Sequence, residues 1–320
     1  MNRTAVLEYL GEDWSQTCGI FNDALRSDVN LLQKTNESIV RNSGKQLRPI
    51  LSLLMARALG SPNDDSWRYA AATELLHNAT LLHDDVADNS GTRRGAPTIM
   101  ALLGPSPAVL LGDFWLSRAV DVIIDSKRCD SVVKLFSKTM RDLAEGEMLQ
   151  LEKASTADTA ESDYLRIVYC KTASLFEAAL LSAAISVDAS PEQCELVRKY
   201  AKALGTAFRI KDDILDYAGS EELGKPVGLD LKEGKITMPL LCALEGSDCE
   251  EHIRELARRR NDSDCEELKS FVAGRDGVGK AAVKLSGWVD MALEALDPIP
   301  DSRAKEFLAE IARYNIFRNV

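Results

Sequence analysis

From Ile50 onward, apolar residues recur at the three- and four-residue spacing of a helix, and no stretch alternates apolar and polar residues over a strand's length. That pattern restricts the chain to folds in which helix packs on helix. Ile50, Leu53, Leu54 and Ala58 form one stripe that follows Pro49 and ends at Gly60. Over 67–88, Ala71, Leu75, Leu76, Ala79, Leu82 and Val86 lie along one face. Pro107 opens a long apolar helix through Ile124, and helical patterns continue over 130–153, 162–187, 191–217, 237–246, 264–295 and 302–317. NSGTRRGAP at 89–97 is turn-rich, and 220–235 is a loop rich in Gly, Lys and acids. No repeat, low-complexity tract or linker interrupts the pattern. With 320 residues, 45% of them apolar, the chain can bury a large core. The expectation is an all-α bundle, with residues 1–320 forming one domain.

Two acidic clusters stand out against this background. HDDVAD supplies Asp84, Asp85 and Asp88, and KDDILD supplies Asp212, Asp213 and Asp216. At ~100° per residue, the outer pair of each cluster lies about 40° apart, with the middle carboxylate about 60° to 100° away. Each trio is therefore expected to project from one side at the end of an apolar helix. Like charges repel there, and acids disfavour a helix C-terminus. A hard cation such as Mg²⁺ would turn that repulsion into ligation, because it commonly bridges a few carboxylates to substrate phosphates.

The formal net charge is −11, with no basic block or arm, so nucleic acid is not an expected partner. Cys18, Cys129, Cys170, Cys194, Cys242, Cys249 and Cys265 are scattered singly. They are expected to be reduced thiols rather than a disulfide framework or a zinc site. The start, MNRTAVLEYLGEDW, lacks the apolar segment of a signal peptide, and no apolar run approaches the ~18 residues of a membrane span. The expected location is cytoplasmic.

Around the clusters, further elements occur in a fixed order. They are GKQLRP at 44–49, ELLHNATLLHDDVAD at 74–88, RRG at 93–95, GDF at 112–114, EGEMLQ at 145–150, KT at 171–172, FRIKDDILD at 208–216 and GKPVGLDLKEGKIT at 224–237. In this order they resemble the trans-type (all-E) polyprenyl diphosphate synthases of the isoprenoid synthase family, nearly end to end. The resemblance implies a helical bundle around a deep central cavity, with the two aspartate motifs facing each other across its mouth. It implies Mg²⁺ held mainly by Asp84, Asp88 and Asp212, with Asp85, Asp213 and Asp216 acting through water or by orienting the ligands. Lys45, Arg48, His77 and Arg94 match the positions that hold the diphosphate of isopentenyl diphosphate. Arg93, Lys171, Lys225 and Lys235 match those that grip the allylic prenyl diphosphate. Thr172 and the backbone carbonyl of Lys171 match groups whose dipoles stabilise an allylic cation, so Lys171, Thr172, Lys225 and Arg93 are the candidate catalytic residues. A homodimer is implied, and the apolar helix over 107–124 would suit its interface.

One departure concerns Arg209, which stands where much of the family has Gln; it is expected to turn toward a phosphate or an acid. A second concerns chain length. Thr80 and Ala79, four and five residues before Asp84, are small, whereas bulky aromatics there close the cavity at fifteen carbons in the family. Their absence resembles the long-chain synthases, with products of twenty carbons or more of the quinone side-chain type, unless Leu76, Phe114 or Trp115 supplies the floor. Other readings are a short-chain (farnesyl or geranylgeranyl) synthase, a class I terpene cyclase, a purely structural bundle, and a catalytically silent regulatory subunit. The second DDxxD and the second set of basic residues disfavour the cyclase. The silent subunit is disfavoured because no aspartate or RRG arginine is lost.

Overall fold

The protein, described here from a computed structural model over residues 2–41, 44–93, 95–218 and 228–317, is built almost wholly of helices. The first half contains α1 (Arg3–Ala24), α2 (Asn30–Arg41), α3 (Leu47–Leu59), α4 (Asp64–Ala87), α5 (Ile99–Leu103), α6 (Pro105–Ile124) and α7 (Cys129–Thr156). Next come α8 (Glu161–Val168), a π-helical turn (Tyr169–Ala173), α9 (Ser174–Ser186) and α10 (Pro191–Ala218). The C-terminal part contains α11 (Leu229–Lys232), α12 (Met238–Leu244), α13 (Glu250–Arg259), α14 (Asp262–Gly274), α15 (Gly277–Leu296) and α16 (Arg303–Phe317).

Nine of the 13 residues of α3 and eleven of the 13 of α9 are buried, which makes these the inner helices. α9 is shared by two apolar clusters. Phe176 and Leu180 pack with α3, α10 and the C-terminal helices, while Leu175 and Ala178 pack with α4, α6 and α7 around Trp115 and Phe136. Neighbours are pinned by local chemistry. Asn63 and Ser66 form a reciprocal cap at the start of α4. α1 kinks at Gly11, and Arg57 of α3 donates to the carbonyls of Tyr9 and Leu10 just before it. The same guanidinium pairs with Asp13, which also accepts from Trp67 Nε1 at 2.8 Å.

Several expectations need correction. The stretch 264–295 is two helices, α14 and α15, separated by Arg275 and by Asp276 in a left-handed conformation (φ 52°). The break lets Arg275 donate to the carbonyls of Ala243, in the last turn of α12, and of Glu245 and Gly246 just beyond it. Pro49 lies inside the first turn of α3 rather than opening it, and Pro105 rather than Pro107 opens α6. The turn-rich segment 89–97 holds a minimal antiparallel hairpin, β1 (Thr92–Arg93) against β2 (Ala96–Pro97). Glu161–Ser186 does contain an 18-residue window apolar enough to cross a membrane, but most of that window is buried in the bundle.

Candidate active site

A cavity of about 650 Å³ opens between α4, α7, α9 and α10. Asp84 and Asp88 reach it from the last turn of α4, and Asp212 reaches it from α10. Burial pushes the Asp84 carboxyl up to about 6, with Glu147 and Asp88 adding to the effect and Lys171 and Arg93 opposing it. These are hard oxygen donors on a common cavity, the chemistry that suits Mg²⁺. Among the described residues no three acidic, His or Cys side chains converge on one point. An ion held here would therefore be completed by ligand oxygens and water.

Asp85 and Asp213 do not share that face, so the expectation that each trio projects from one side is corrected at its middle residue. A turn of 60° to 100° suffices to send the middle residue into the protein. Asp85 is 5% exposed and accepts from Arg93 Nε at 2.7 Å. Asp213 is fully buried, accepts from the Tyr164 hydroxyl at 2.5 Å, and lies 2.9 Å from Arg209 Nε as an ion pair. It also receives the amide of Met238 at 3.5 Å, which ties it to the start of α12. Burial pushes its carboxyl above the usual carboxylate range, and the Arg209 charge beside it opposes that push. Asp216 accepts from the amides of Leu229 and Asp230 and so anchors α11.

The cationic residues come from several elements. Arg48, His77, Arg93, Lys171 and Lys235 all line the cavity. Arg48 also stacks on the Phe176 ring, 4.8 Å from its centroid. Lys171 is paired with Glu147 and Lys235 with Glu233, partners that the sequence reading did not assign. Glu147 belongs to EGEMLQ, which could have marked it as a site residue because it is the acid one turn from the cavity-lining Leu143 and Ala144. Lys45 precedes α3 and is not among the cavity's lining residues. Arg94 and Lys225 lie outside the described residues.

Lys171 and Thr172 sit on the π-helical turn, whose wider loop pushes them out of the helical line. Two glycines hold that turn at close range. A Cβ on Gly146 of α7 would lie 2.5 Å from Cys170 Cβ, and one on Gly205 of α10 would lie 2.6 Å from Ala173 Cα. Outside the turn, the Tyr169 hydroxyl donates to Glu177 at 3.1 Å and lies 2.9 Å from Lys138 Nζ.

Beneath the charged mouth the wall is apolar. Leu76, Ala79 and Thr80 of α4 line it, facing Leu116, Met140, Leu143 and Leu175. The Thr80 hydroxyl is tied back to the carbonyl of His77 at 2.8 Å. Phe114 and Trp115 are not among the lining residues; the Trp115 indole is fully buried and donates to Asn36 at 2.8 Å. Arg209 lines the cavity as well and turns toward acids, as its position required. It pairs with Asp213 and, at 3.2 Å, with Asp230.

Comparison with known proteins agrees with this geometry. The polyprenyl synthetase family model matches residues 29–273. The chain is 37% identical over 321 residues to the all-trans-nonaprenyl-diphosphate synthase (geranyl-diphosphate specific) of Rhodobacter capsulatus, spanning 98% of this chain and 97% of that protein. It is 36% identical over 325 residues to the octaprenyl diphosphate synthase of Escherichia coli, spanning 100% of both. The crystal structure of a polyprenyl synthase from Caulobacter crescentus, complexed with calcium and isoprenyl diphosphate, superposes with a TM-score of 0.90 at 33% identity, covering 100% of this chain and 98% of that one. The chain belongs to the polyprenyl synthetase family.

Proposed function

We propose that this protein is a Mg²⁺-dependent prenyltransferase that adds isopentenyl diphosphate head to tail onto an allylic prenyl diphosphate and builds a long-chain, all-trans polyprenyl diphosphate. The observation that carries this reading is the division of one cavity. Carboxylates and cations from α4, α7, α10 and the π turn surround its mouth, and an apolar shaft lies beneath. Mg²⁺ bound at Asp84, Asp88 and Asp212 would supply charge neutralisation for the departing diphosphate. Lys171, Arg93 and Lys235 would bind that diphosphate, each as a fixed positive charge at the breaking bond. Lys171 must first exchange Glu147 for a phosphate oxygen, and Lys235 must exchange Glu233. Thr172 and the Lys171 carbonyl, on the same cavity, would turn their dipoles toward the allylic carbon and favour positive charge there. Arg48 and His77, with Lys45 and Arg94, would hold the second diphosphate so that its double bond meets that carbon. The apolar shaft excludes water from the cation.

The relatives named for eight- and nine-unit products support the long-chain reading, as do the small residues Ala79 and Thr80. One observation favours a second reading. At ~30 Å³ per heavy atom, 650 Å³ holds about 20 atoms, of which a diphosphate at the mouth takes about nine, so a tail of only about two isoprene units fits without rearrangement, which is the space of a short-chain product. A longer tail requires Leu76, Leu116 and Met140 to move, which the unbranched Met side chain allows. The exposed apolar residues Leu102, Leu103, Val109 and Leu110 of α5 and α6 support a homodimer through that face. Residues 1–320 would act as one domain in the cytoplasm.

The test is incubation with Mg²⁺, radiolabelled isopentenyl diphosphate and, separately, dimethylallyl, geranyl, farnesyl and geranylgeranyl diphosphates, with product length read by chromatography. Products well beyond twenty carbons are expected. No elongation from any primer would refute the synthase, and termination at twenty carbons or fewer would replace the long-chain reading with the second one.

A further inference from the structure

Residues 228–237 bring Lys235 to the cavity, packed through buried Leu231 and Ile236 and tied to α10 by hydrogen bonds and ion pairs that run through acids. Asp216 accepts the amides of Leu229 and Asp230, and its own carbonyl accepts the amide of Gly228 at 2.9 Å. The amide of Lys235 returns to the carbonyl of Asp230 at 2.8 Å. This places Asp230, with a side chain only 15% exposed, against the wall that carries the fully buried Asp213. Two carboxylates in that position repel across a poorly solvated gap, and Asp212 and Asp216 add to the field.

We propose that Arg209 is a positioning residue that latches the Lys235-bearing segment to α10 by holding Asp213 and Asp230 at once. Its guanidinium reaches Asp213 through Nε at 2.9 Å and Asp230 through a terminal nitrogen at 3.2 Å, 21 residues further along the chain. A planar guanidinium can serve two acids in different directions; a neutral amide or a single ammonium cannot do so with equal charge and reach. Four side chains are thereby linked, because Asp213 also receives the Tyr164 hydroxyl. Arg209 thus has its charge balanced by a carboxylate pair. Its effect on the reaction is indirect: it sets where Lys235 stands. The latch rests on the assignment of Lys235 to the allylic diphosphate, but its physical core, an ion-pair clamp on residues 228–237, is independent of any substrate.

The experiment is amide hydrogen exchange on the full-length, substrate-free protein, comparing wild type with Arg209→Gln, Asp230→Asn and the double variant, alongside steady-state kinetics. Arg209→Gln should accelerate exchange in 228–237 by about tenfold or more while α3 and α9 stay unchanged, because local opening costs less once the acids are unpaired. Adding Asp230→Asn to Arg209→Gln should slow exchange again, the non-additivity expected of two residues in one network. Arg209→Gln should also raise the KM for the allylic diphosphate while leaving that for isopentenyl diphosphate within about twofold, a split that a loss of general stability would not produce. Unchanged exchange in Arg209→Gln, or additive effects in the double variant, would overturn the latch. If Arg209→Gln fails to fold, Asp230→Asn alone must still accelerate exchange in 228–237, and wild-type rates there would equally overturn it. Failure of wild type to elongate any primer, with the exchange pattern intact, would count against the synthase reading and not against the latch.

Discussion

Replacing Ala79 with Phe should shorten the product. Ala79 lies five residues before Asp84, so it stands about 7.5 Å deeper along α4 at 1.5 Å per residue, with its Cβ tilted further from the mouth. An isoprene unit extends about 5 Å at ordinary carbon–carbon bond lengths, so a ring at this depth meets the tail after about two units. Phe adds six heavy atoms, about 180 Å³ at ~30 Å³ each, which is more than a quarter of the 650 Å³ cavity. Ala79 lines that cavity but is itself 1% exposed, so the ring must push past its neighbours to enter it, an overpacking cost of typically ~1–3 kcal/mol. The variant should keep its thermal midpoint within a few degrees and release products of fifteen carbons or fewer in the labelled elongation assay. An unchanged product distribution from a folded variant would refute the placement of Ala79 beneath the growing chain.

The two neighbouring aspartates of the second motif should separate cleanly. Asp213→Ala strands Arg209 and the Tyr164 hydroxyl and should cost roughly 3–5 kcal/mol, lowering the thermal midpoint by roughly 5–10 °C. Asp212→Asn, which keeps the side chain's size, should lower the midpoint less than Asp213→Ala does and abolish turnover, which calorimetry and kinetics can check together. Asp84, pushed up to about 6, is protonated below that pH, and a proton competes with a metal for the carboxylate. Raised above its unfolded value, this group stabilises the metal-free fold most at low pH, and that contribution is lost as pH rises through about 6. The acid limb of kcat/KM at limiting Mg²⁺ should therefore fall near pH 6 and move lower as Mg²⁺ is raised; an acid limb independent of Mg²⁺ would contradict the competition. Gly205→Ala puts a methyl group 2.6 Å from Ala173 Cα and displaces the π turn that carries Lys171 and Thr172. Steady-state kinetics should show kcat reduced by about 10- to 100-fold.

The helical architecture was legible because the inner helices carry their apolar spacing in sequence, and ELLHNATLLHDDVAD places Asp84 and Asp88 on one cavity as its periodicity suggests. α1 was not legible. It buries Val6, Leu10 and Phe21, but its continuity past the Gly11 kink depends on Arg57, Asp13 and Trp67, which are contacts between distant residues. The break between α14 and α15 was hidden because both helices keep an inward apolar face, although GRDG at 274–277 marks the spot. At the site, residue type revealed the carboxylate clusters but not their division of labour. Asp85, Asp213 and Asp216 are engaged by Arg93, by Tyr164 and Arg209, and by the α11 amides, partners that only the folded chain brings within reach. Arg209 is the clearest case, since its second acid lies beyond a loop whose course the sequence does not specify.

In the proposed function the two aspartate clusters hold a diphosphate jointly, through metal. Titration calorimetry with an unreactive thio-analogue of an allylic diphosphate tests it directly, using wild type, Asp84→Asn and Asp212→Asn with and without Mg²⁺. Tight binding is expected only when Mg²⁺ is present, with weakening by about 100-fold or more in each variant, an order expected when a charged ligand group is removed from a shared site. Equal affinity with and without Mg²⁺, or full affinity in either variant, would contradict it.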